Sequence, residues 1–368
     1  MTTHFPDYPD RVRPWYHHIF FWRPNRDASD QQQRLEIQIK ARETVAAAFR
    51  SSSPDVGPEV AEIITSAFLS GDHEQMNSLT GELARGVLNA LQRATGSDAD
   101  VYCGSYNEER AAIKHFRVFT SATRSHTENW KRGFFREAIL WFNLNHQNVL
   151  KFKGIADEVP GLPGVCMVLQ WAENGDLRKY LDQLVRNGLR GLIYVDKVDQ
   201  WIRGITSGLK YLHDNGLVHG DLRTPNIVVD GNETILLANF GLSVIGDVGS
   251  SYTAPDGKGT TYIAPELLDC AKGFPRPTFQ SDIYSFAYVC VELYLNGPPF
   301  GDLGEYQIMY KVTQGDRPKR PRIDDRELRD AMWSLIESCW SQAPHKRPTA
   351  SEIAVRVMGH DDAGSSET

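Results

Sequence analysis

Apolar residues recur along this chain with two different periods, and the change from one to the other marks out its organisation. Val60, Ile63, Ile64 and Phe68, after Pro58, keep helical spacing, and so do Met76, Leu79, Leu83, Val87 and Leu91 after Gly71-Asp72. Gln31 to Phe49 mixes charged and apolar residues into an Ala-rich end that serines 51 to 53 break, which predicts one more helix. Gly86 to Ala94 still reads as helical. The period then drops to two: Tyr102 to Tyr106 and Ala111 to Lys114 flank Asn107-Glu108-Glu109 and predict a hairpin. Phe134 to Ile155 predicts a helix, a loop and a strand, and Val165 to Leu169 predicts another strand. Trp201, Ile202, Ile205, Leu209, Leu212 and His213 form one face of a long helix that Asn215-Gly216 closes. Two short apolar runs, Ile227 to Val229 and Ile235 to Leu237, surround the turn signal Asp230-Gly231-Asn232 and predict a second hairpin. The longest apolar stretch, Phe286 to Leu295, is too short to cross a bilayer and predicts a buried helix.

Composition narrows the classes without choosing among them. The 368 residues suffice for one large domain and a smaller appendage, and 41% hydrophobic with 24% charged residues is ordinary for a globular chain. A formal charge of -7 argues against nucleic acid as the main partner. Five widely spaced cysteines show neither a disulfide framework nor zinc spacing, so a reducing, cytoplasmic setting is expected. The N-terminus interleaves Trp15, Tyr16, Phe20, Phe21 and Trp22 with charges; it lacks the apolar core of a signal peptide and is expected to dock on the rest of the protein. No membrane association is expected. The tail from Gly359 reads as disordered.

Candidate chemistry concentrates in residues 218 to 241, VHGDLRTPNIVVDGNETILLANFG. A carboxylate at Asp221 can orient an incoming hydroxyl and take its proton, and Asn226, five residues on, offers a carbonyl oxygen to magnesium from the same loop. His219, Gly220, Asp221, Leu222, Arg223 and Asn226 resemble the protein kinase catalytic loop H-R-D-L-x-x-x-x-N, and Asn239-Phe240-Gly241 resembles its D-F-G. Further matches follow in order: Ala111-Ala112-Ile113-Lys114 for V-A-I-K, Glu137 for the glutamate that pairs with that lysine, and Ala264-Pro265-Glu266 for A-P-E. Ser281 to Phe300 matches the helix that anchors the catalytic loop. The closing run C-W-x-x-x-P-x-x-R-P-T is similar to that of the tyrosine-kinase-like and tyrosine-kinase groups. The resemblance covers about residues 87 to 358.

The resemblance implies an α+β, two-lobed protein kinase fold: a small, mostly β N-lobe with one helix over residues 87–170 and a large, mostly α C-lobe over 171–358. A partly helical extension, residues 1–86, would precede it. ATP and magnesium are the implied cofactors. Asp221 would be the base, Lys114 would meet the phosphates under the guidance of Glu137, and Arg223 would lie near the transferred group. Asn226 and Asn239 would meet the metal. Gly96, Val101, Ala112, Leu169, Gln170, Ala172 and Val228 would surround the nucleotide, with the backbone of Gln170 and Ala172 on adenine. Asp282 would accept backbone hydrogen bonds from the catalytic loop, and Arg347 would pair with Glu266.

Three departures bear on activity. Asn239 has the shape of the family's aspartate without its charge, a loss that slows transfer by roughly two to three powers of ten if it weakens metal stabilisation by ~3 to 4 kcal/mol. The glycine loop reads Ala94, Gly96 and Ala99, with Asp98 at its tip, where Cβ atoms and a carboxylate oppose phosphate. Gly220 replaces the arginine that clamps an activating phosphate, so control of Ser250, Ser251, Tyr252, Thr253, Thr260 or Thr261 through that arginine is not expected. Two readings stay open: a kinase of weakened activity acting on protein Ser/Thr hydroxyls, and a pseudokinase that presents surfaces to a protein partner. A small-molecule kinase of the aminoglycoside type would share the Asp-to-Asn spacing but not A-P-E or the closing K-R-P-T. The oligomeric state is left open.

Overall fold

The computed structural model describes residues 99–106, 109–116, 138, 141–142, 144–156, 166–239, 244–245, 260–268, 276–324 and 326–358. The expected helices between residues 31 and 91, the extension, the tail, Gly96, Asp98, Glu137, Phe240, Gly241 and the candidate phosphosites 250–253 lie outside the described residues.

The first hairpin forms where the period-two pattern puts it. Strands β1 (Ala99–Tyr106) and β2 (Glu109–Phe116) pair antiparallel, with Val101 opposite Lys114. β3 (Phe152–Ala156) and β4 (Cys166–Gln170) complete a sheet of order β1-β2-β4-β3. Alternation divides β2 between two cores. Ala111 and Ile113 pack with Cys166 and Val168 on one face, whereas Ala112 joins Met167 and Leu169 in the main core. Parity therefore sends Lys114, two residues after Ala112, to the main-core side of the sheet.

Beyond Gln170 helices take over. After the short β5 (Gly175–Asp176), Asp176 caps α1 (Leu177–Arg186), its carboxylate accepting the Lys179 N–H at 3.0 Å. The long amphipathic pattern becomes α2 (Gly191–Asp214), whose Trp201, Ile202, Ile205, Leu209 and Leu212 are buried. It ends at Asn215, and Gly216 follows at φ +72°. Gly208 lets α2 close on the small hairpin: a Cβ there would stand 2.6 Å from the Asn148 carbonyl oxygen. After β6 (Leu217–Val218), that hairpin is β7 (Ile227–Val229) and β8 (Ile235–Leu237), with Val228 opposite Leu236. Strand β9 (Val244–Ile245) pairs with β6.

A short helix α3 (Pro265–Leu268) precedes α4 (Phe279–Leu295), which is buried from Ser281 to Tyr294 without a break. Thr278 and Ser281 bond reciprocally at its start, 3.1 and 2.8 Å, satisfying two N–H groups that the first turn leaves open. Next in the chain, α5 (Glu305–Thr313) lies against α3. The small ribbon β10 (Arg322–Ile323) and β11 (Arg326–Glu327) packs on α4 through β10, α6 (Asp330–Cys339) packs on α4 as well, and α7 (Ala350–Met358) packs on α2. The expected α+β division into a small sheet and a larger helical body is the one observed. Among the described residues no helix is long and apolar enough to cross a membrane.

Candidate active site

The loop after β6 is fixed from below by a buried carboxylate. Asp282, 1% exposed on α4, accepts the N–H of His219 at 2.7 Å and that of Gly220 at 2.9 Å. His213, at the end of α2, places Nε2 3.0 Å from the same carboxylate. Gly220 sits at φ +81°, where a side chain would be strained, so its glycine suits the turn that the two bonds impose. His219 is fully buried, and burial holds its imidazole below the usual value and neutral. Its Nδ1 accepts the Asp221 N–H at 3.3 Å.

Asp221 emerges from this anchor half-exposed. Its Oδ2 accepts Arg223 Nε at 3.2 Å and Asn226 Nδ2 at 2.6 Å. Asn226 Nδ2 also reaches the Asp221 carbonyl at 2.8 Å, which ties the loop across its five-residue span. Burial pushes the Asp221 carboxyl above its ordinary value, and Arg223, His219 and Asn226 each pull it back. The outcome is a stronger base than a solvated aspartate, which suits a group that must take a hydroxyl proton.

Three hydrogen bonds connect this loop to the small sheet. Lys114 Nζ donates to Asn239 Oδ1 at 3.1 Å, Asn239 Nδ2 donates to Asn226 Oδ1 at 2.9 Å, and Asn226 continues to Asp221. Asn239 lies at φ +66°, a region that asparagine tolerates better than most residues, so backbone strain there is small. Lys114 Nζ also stands 5.6 Å over the ring of Trp141, whose indole N–H donates to the Leu150 carbonyl at 2.6 Å. Trp141 was not among the residues expected here. Its spacing of four from Glu137 in the sequence, in a segment expected to be helical, is the signal that points to it.

The nucleotide-side residues are placed less uniformly. Ala112 faces Leu169 across the sheet and both are buried, while Val228 is half-buried on β7. Gln170 and Ala172 are half-buried where β4 leaves the sheet; the Gln170 N–H is bonded to the Lys151 carbonyl at 2.8 Å and the Ala172 carbonyl to the Gly175 N–H at 3.1 Å. Val101, expected against the base, is 39% exposed at the sheet's outer strand.

Magnesium does not fit this donor set. It takes hard oxygens, preferably anionic, in a near-octahedral shell. The Asn239 oxygen already holds an ammonium and the Asn226 oxygen an amide N–H, so a dication would sit against two donors. Asp221, the carboxylate of the set, accepts from Asn226 and Arg223 through one oxygen, Oδ2. Among the described residues no group of three His, Cys, Asp or Glu is arranged to hold a metal ion.

A second polar cluster, absent from the sequence expectations, braces the loop from its other side. Thr224 Oγ1 bonds both oxygens of the buried Glu292 on α4, at 3.0 and 2.9 Å, and Tyr262 bonds one of them. Arg347, buried as far as its guanidinium, grips Glu266 with two bonds of 2.6 and 2.7 Å, as the resemblance implied.

Comparison with known proteins gives the family. The sequence model of the protein tyrosine and serine/threonine kinase family matches residues 90–357. Similar curated proteins include the serine/threonine-protein kinase STY17 of Arabidopsis thaliana, 28% identical over 276 residues that make 73% of this chain and 45% of that protein. The serine/threonine/tyrosine-protein kinase HT1 of the same plant is 28% identical over 273 residues, 73% of this chain and 65% of its own. Receptor-interacting serine/threonine-protein kinase 2 of Bos taurus is 29% identical over 292 residues, 75% and 49% of the two chains. The matched part thus spans less than two thirds of each of these relatives. The chain belongs to the protein tyrosine and serine/threonine kinase family.

Proposed function

We propose that the protein is a signalling protein that binds ATP and transfers its terminal phosphoryl group, slowly, to serine or threonine hydroxyls of a protein. The observation that carries this reading is the unbroken chain of hydrogen bonds from Lys114 through Asn239 and Asn226 to Asp221. It brings a cation suited to phosphate and a carboxylate suited to a hydroxyl into one rigid unit. Asp221, made more basic by burial, orients the acceptor and takes its proton. Arg223, held 3.2 Å from it, adds positive charge beside the acceptor, and Lys114 meets the phosphates. The base would lie between β1 and β7, against Ala112, Leu169 and Val228. With Asn239 in place of an acid and no fitted dication, the expected rate is roughly two to three powers of ten below that of a site with the full charge set.

Relatives named as serine/threonine kinases support the acceptor class. Four free cysteines among the described residues suit a reducing compartment, and we assign the protein to the cytoplasm. A second reading, a pseudokinase that presents its surfaces to a protein partner, is favoured by one observation: both amides of the site are satisfied by protein groups alone.

Single-turnover phosphotransfer from labelled ATP to mixed Ser/Thr and Tyr peptide pools separates the two. Slow labelling of Ser/Thr peptides that Asp221→Ala and Lys114→Ala abolish supports transfer. Labelling that neither substitution alters, or none above a no-protein control, leaves the partner-binding reading.

A further inference from the structure

We propose that this site takes up a nucleoside triphosphate without any divalent cation, because the amide of Asn239 supplies the bridge between Lys114 and the catalytic loop. The inference rests on the nucleotide-binding part of the function proposed above.

The polarity of the hydrogen-bond chain is fixed at both ends. An ammonium only donates, so Asn239 must turn Oδ1 towards Lys114, 3.1 Å away. At the other end Asp221 Oδ2 accepts from Arg223 Nε at 3.2 Å and from Asn226 at 2.6 Å, so Asn226 must present Nδ2 to it. The middle bond, 2.9 Å between Asn239 and Asn226, then has one possible direction, Nδ2 to Oδ1. Turning either amide over would set donor against donor or acceptor against acceptor.

A carboxylate at position 239 changes that middle contact. It brings only acceptors, and one of them would face Asn226 Oδ1 with nothing between two oxygens. Such a pair needs a cation or a proton to hold it together. In this chain the proton is already present, covalently, on the Asn239 amide. Charge points the same way. An acid at 239 would set a second carboxylate beside that of Asp221, facing a triphosphate of four negative charges. Lys114 is steadied apart from this chain by the Trp141 ring 5.6 Å away. The arrangement therefore stands assembled before nucleotide arrives, which spares the ordering that a metal would otherwise impose.

The test is titration calorimetry of the full chain with ATP, once in excess EDTA and once in excess magnesium, repeated with Asn239→Asp. The expected result for the native chain is a Kd in EDTA equal to or below that in magnesium. For Asn239→Asp, the Kd in EDTA should rise by about tenfold or more, and magnesium should restore it. A native chain that binds about tenfold more weakly in EDTA overturns the inference and leaves phosphoryl transfer standing. No heat in either buffer overturns the inference and the transfer reading together. An Asn239→Asp variant that binds equally in both buffers overturns the role given to the amide. Should that variant fail to fold, judged by its melting without ligand, the two titrations of the native chain decide alone.

Discussion

Replacing Asp282 with asparagine should loosen the catalytic loop and destabilise the domain in one step. The native carboxylate supplies one oxygen to the His219 N–H at 2.7 Å and the other to the Gly220 N–H at 2.9 Å, in a position 1% exposed. Asparagine keeps the shape but has one acceptor oxygen and an NH2 group. Whichever way it turns, one backbone N–H meets a donor, and no water reaches it. The lost bond is to a charged group, worth about 1.5–3 kcal/mol, and the surviving one falls from charge-assisted to neutral, about 1 kcal/mol more. The sum is about 2.5–4 kcal/mol. At about 2–4 °C for each kcal/mol in a domain of this size, the melting temperature should fall by about 5–16 °C. Circular dichroism melts of the native chain and the variant measure this, and ATP titration at 10 °C reports whether the loop still assembles when folded. A shift under about 2 °C, with titration unchanged, would show that the loop is held by something other than Asp282, and the anchoring described here would be wrong.

Three further outcomes follow from the packing around the site. Arg347→Met removes two bonds to Glu266 at 2.6 and 2.7 Å and one each to the Gln280 and Ser341 carbonyls at 2.9 Å, stranding a partly buried acid; a loss of about 3–5 kcal/mol in denaturant melts is expected, and a loss below about 1 kcal/mol would refute the pairing's role. Gly208→Ala should destabilise by about 1–3 kcal/mol despite alanine's better helix propensity, since its Cβ would stand 2.6 Å from the Asn148 oxygen and 3.0 Å from a Leu237 methyl; a variant as stable as the native chain refutes the close approach of α2. Glu292 is held above its ordinary value of 4.5 by burial, against the pull of Tyr262, Thr224 and Arg178. Its folded value lies above its unfolded one, so its contribution to stability is complete below about pH 4.5 and is lost as pH rises through the folded value. Glu292→Gln should therefore flatten the fall in stability above pH 4.5, and superimposed pH profiles for the two proteins would refute it.

Much of this architecture was legible because local patterns and motif order agree. The apolar runs Ile227 to Val229 and Ile235 to Leu237, split by Asp230-Gly231-Asn232, became β7 and β8. The face that ends at Asn215-Gly216 became α2. Asp282 with the loop, and Arg347 with Glu266 across 81 residues, were reached through ordered resemblance, since no periodicity connects positions so far apart. The Glu292 cluster was not legible. Helix α4 is buried on every side, so its sequence has no amphipathic phase to show which polar groups turn towards which neighbour. Val101, expected over the base, lies on the outer strand β1 and is 39% exposed.

Asn239 shows most clearly where letters stop and geometry begins. As a letter it is an aspartate short of one charge, and magnesium binding is what that charge serves, so the sequence reads it as a defect. In the folded chain the same substitution also adds two N–H protons, and one of them points at Asn226 Oδ1, 2.9 Å away. That oxygen is the one through which the loop would otherwise have met the metal. The missing charge and the added hydrogen bond are thus a single change, seen first without and then with its neighbours. It lowers the site's power to stabilise a transferring phosphoryl group while keeping Lys114 and Asp221 in register. On the function proposed above, nucleotide binding and catalysis, coupled through one ion when position 239 is acidic, would become separable in this chain. The EDTA titration and the single-turnover assay measure that separation from its two sides.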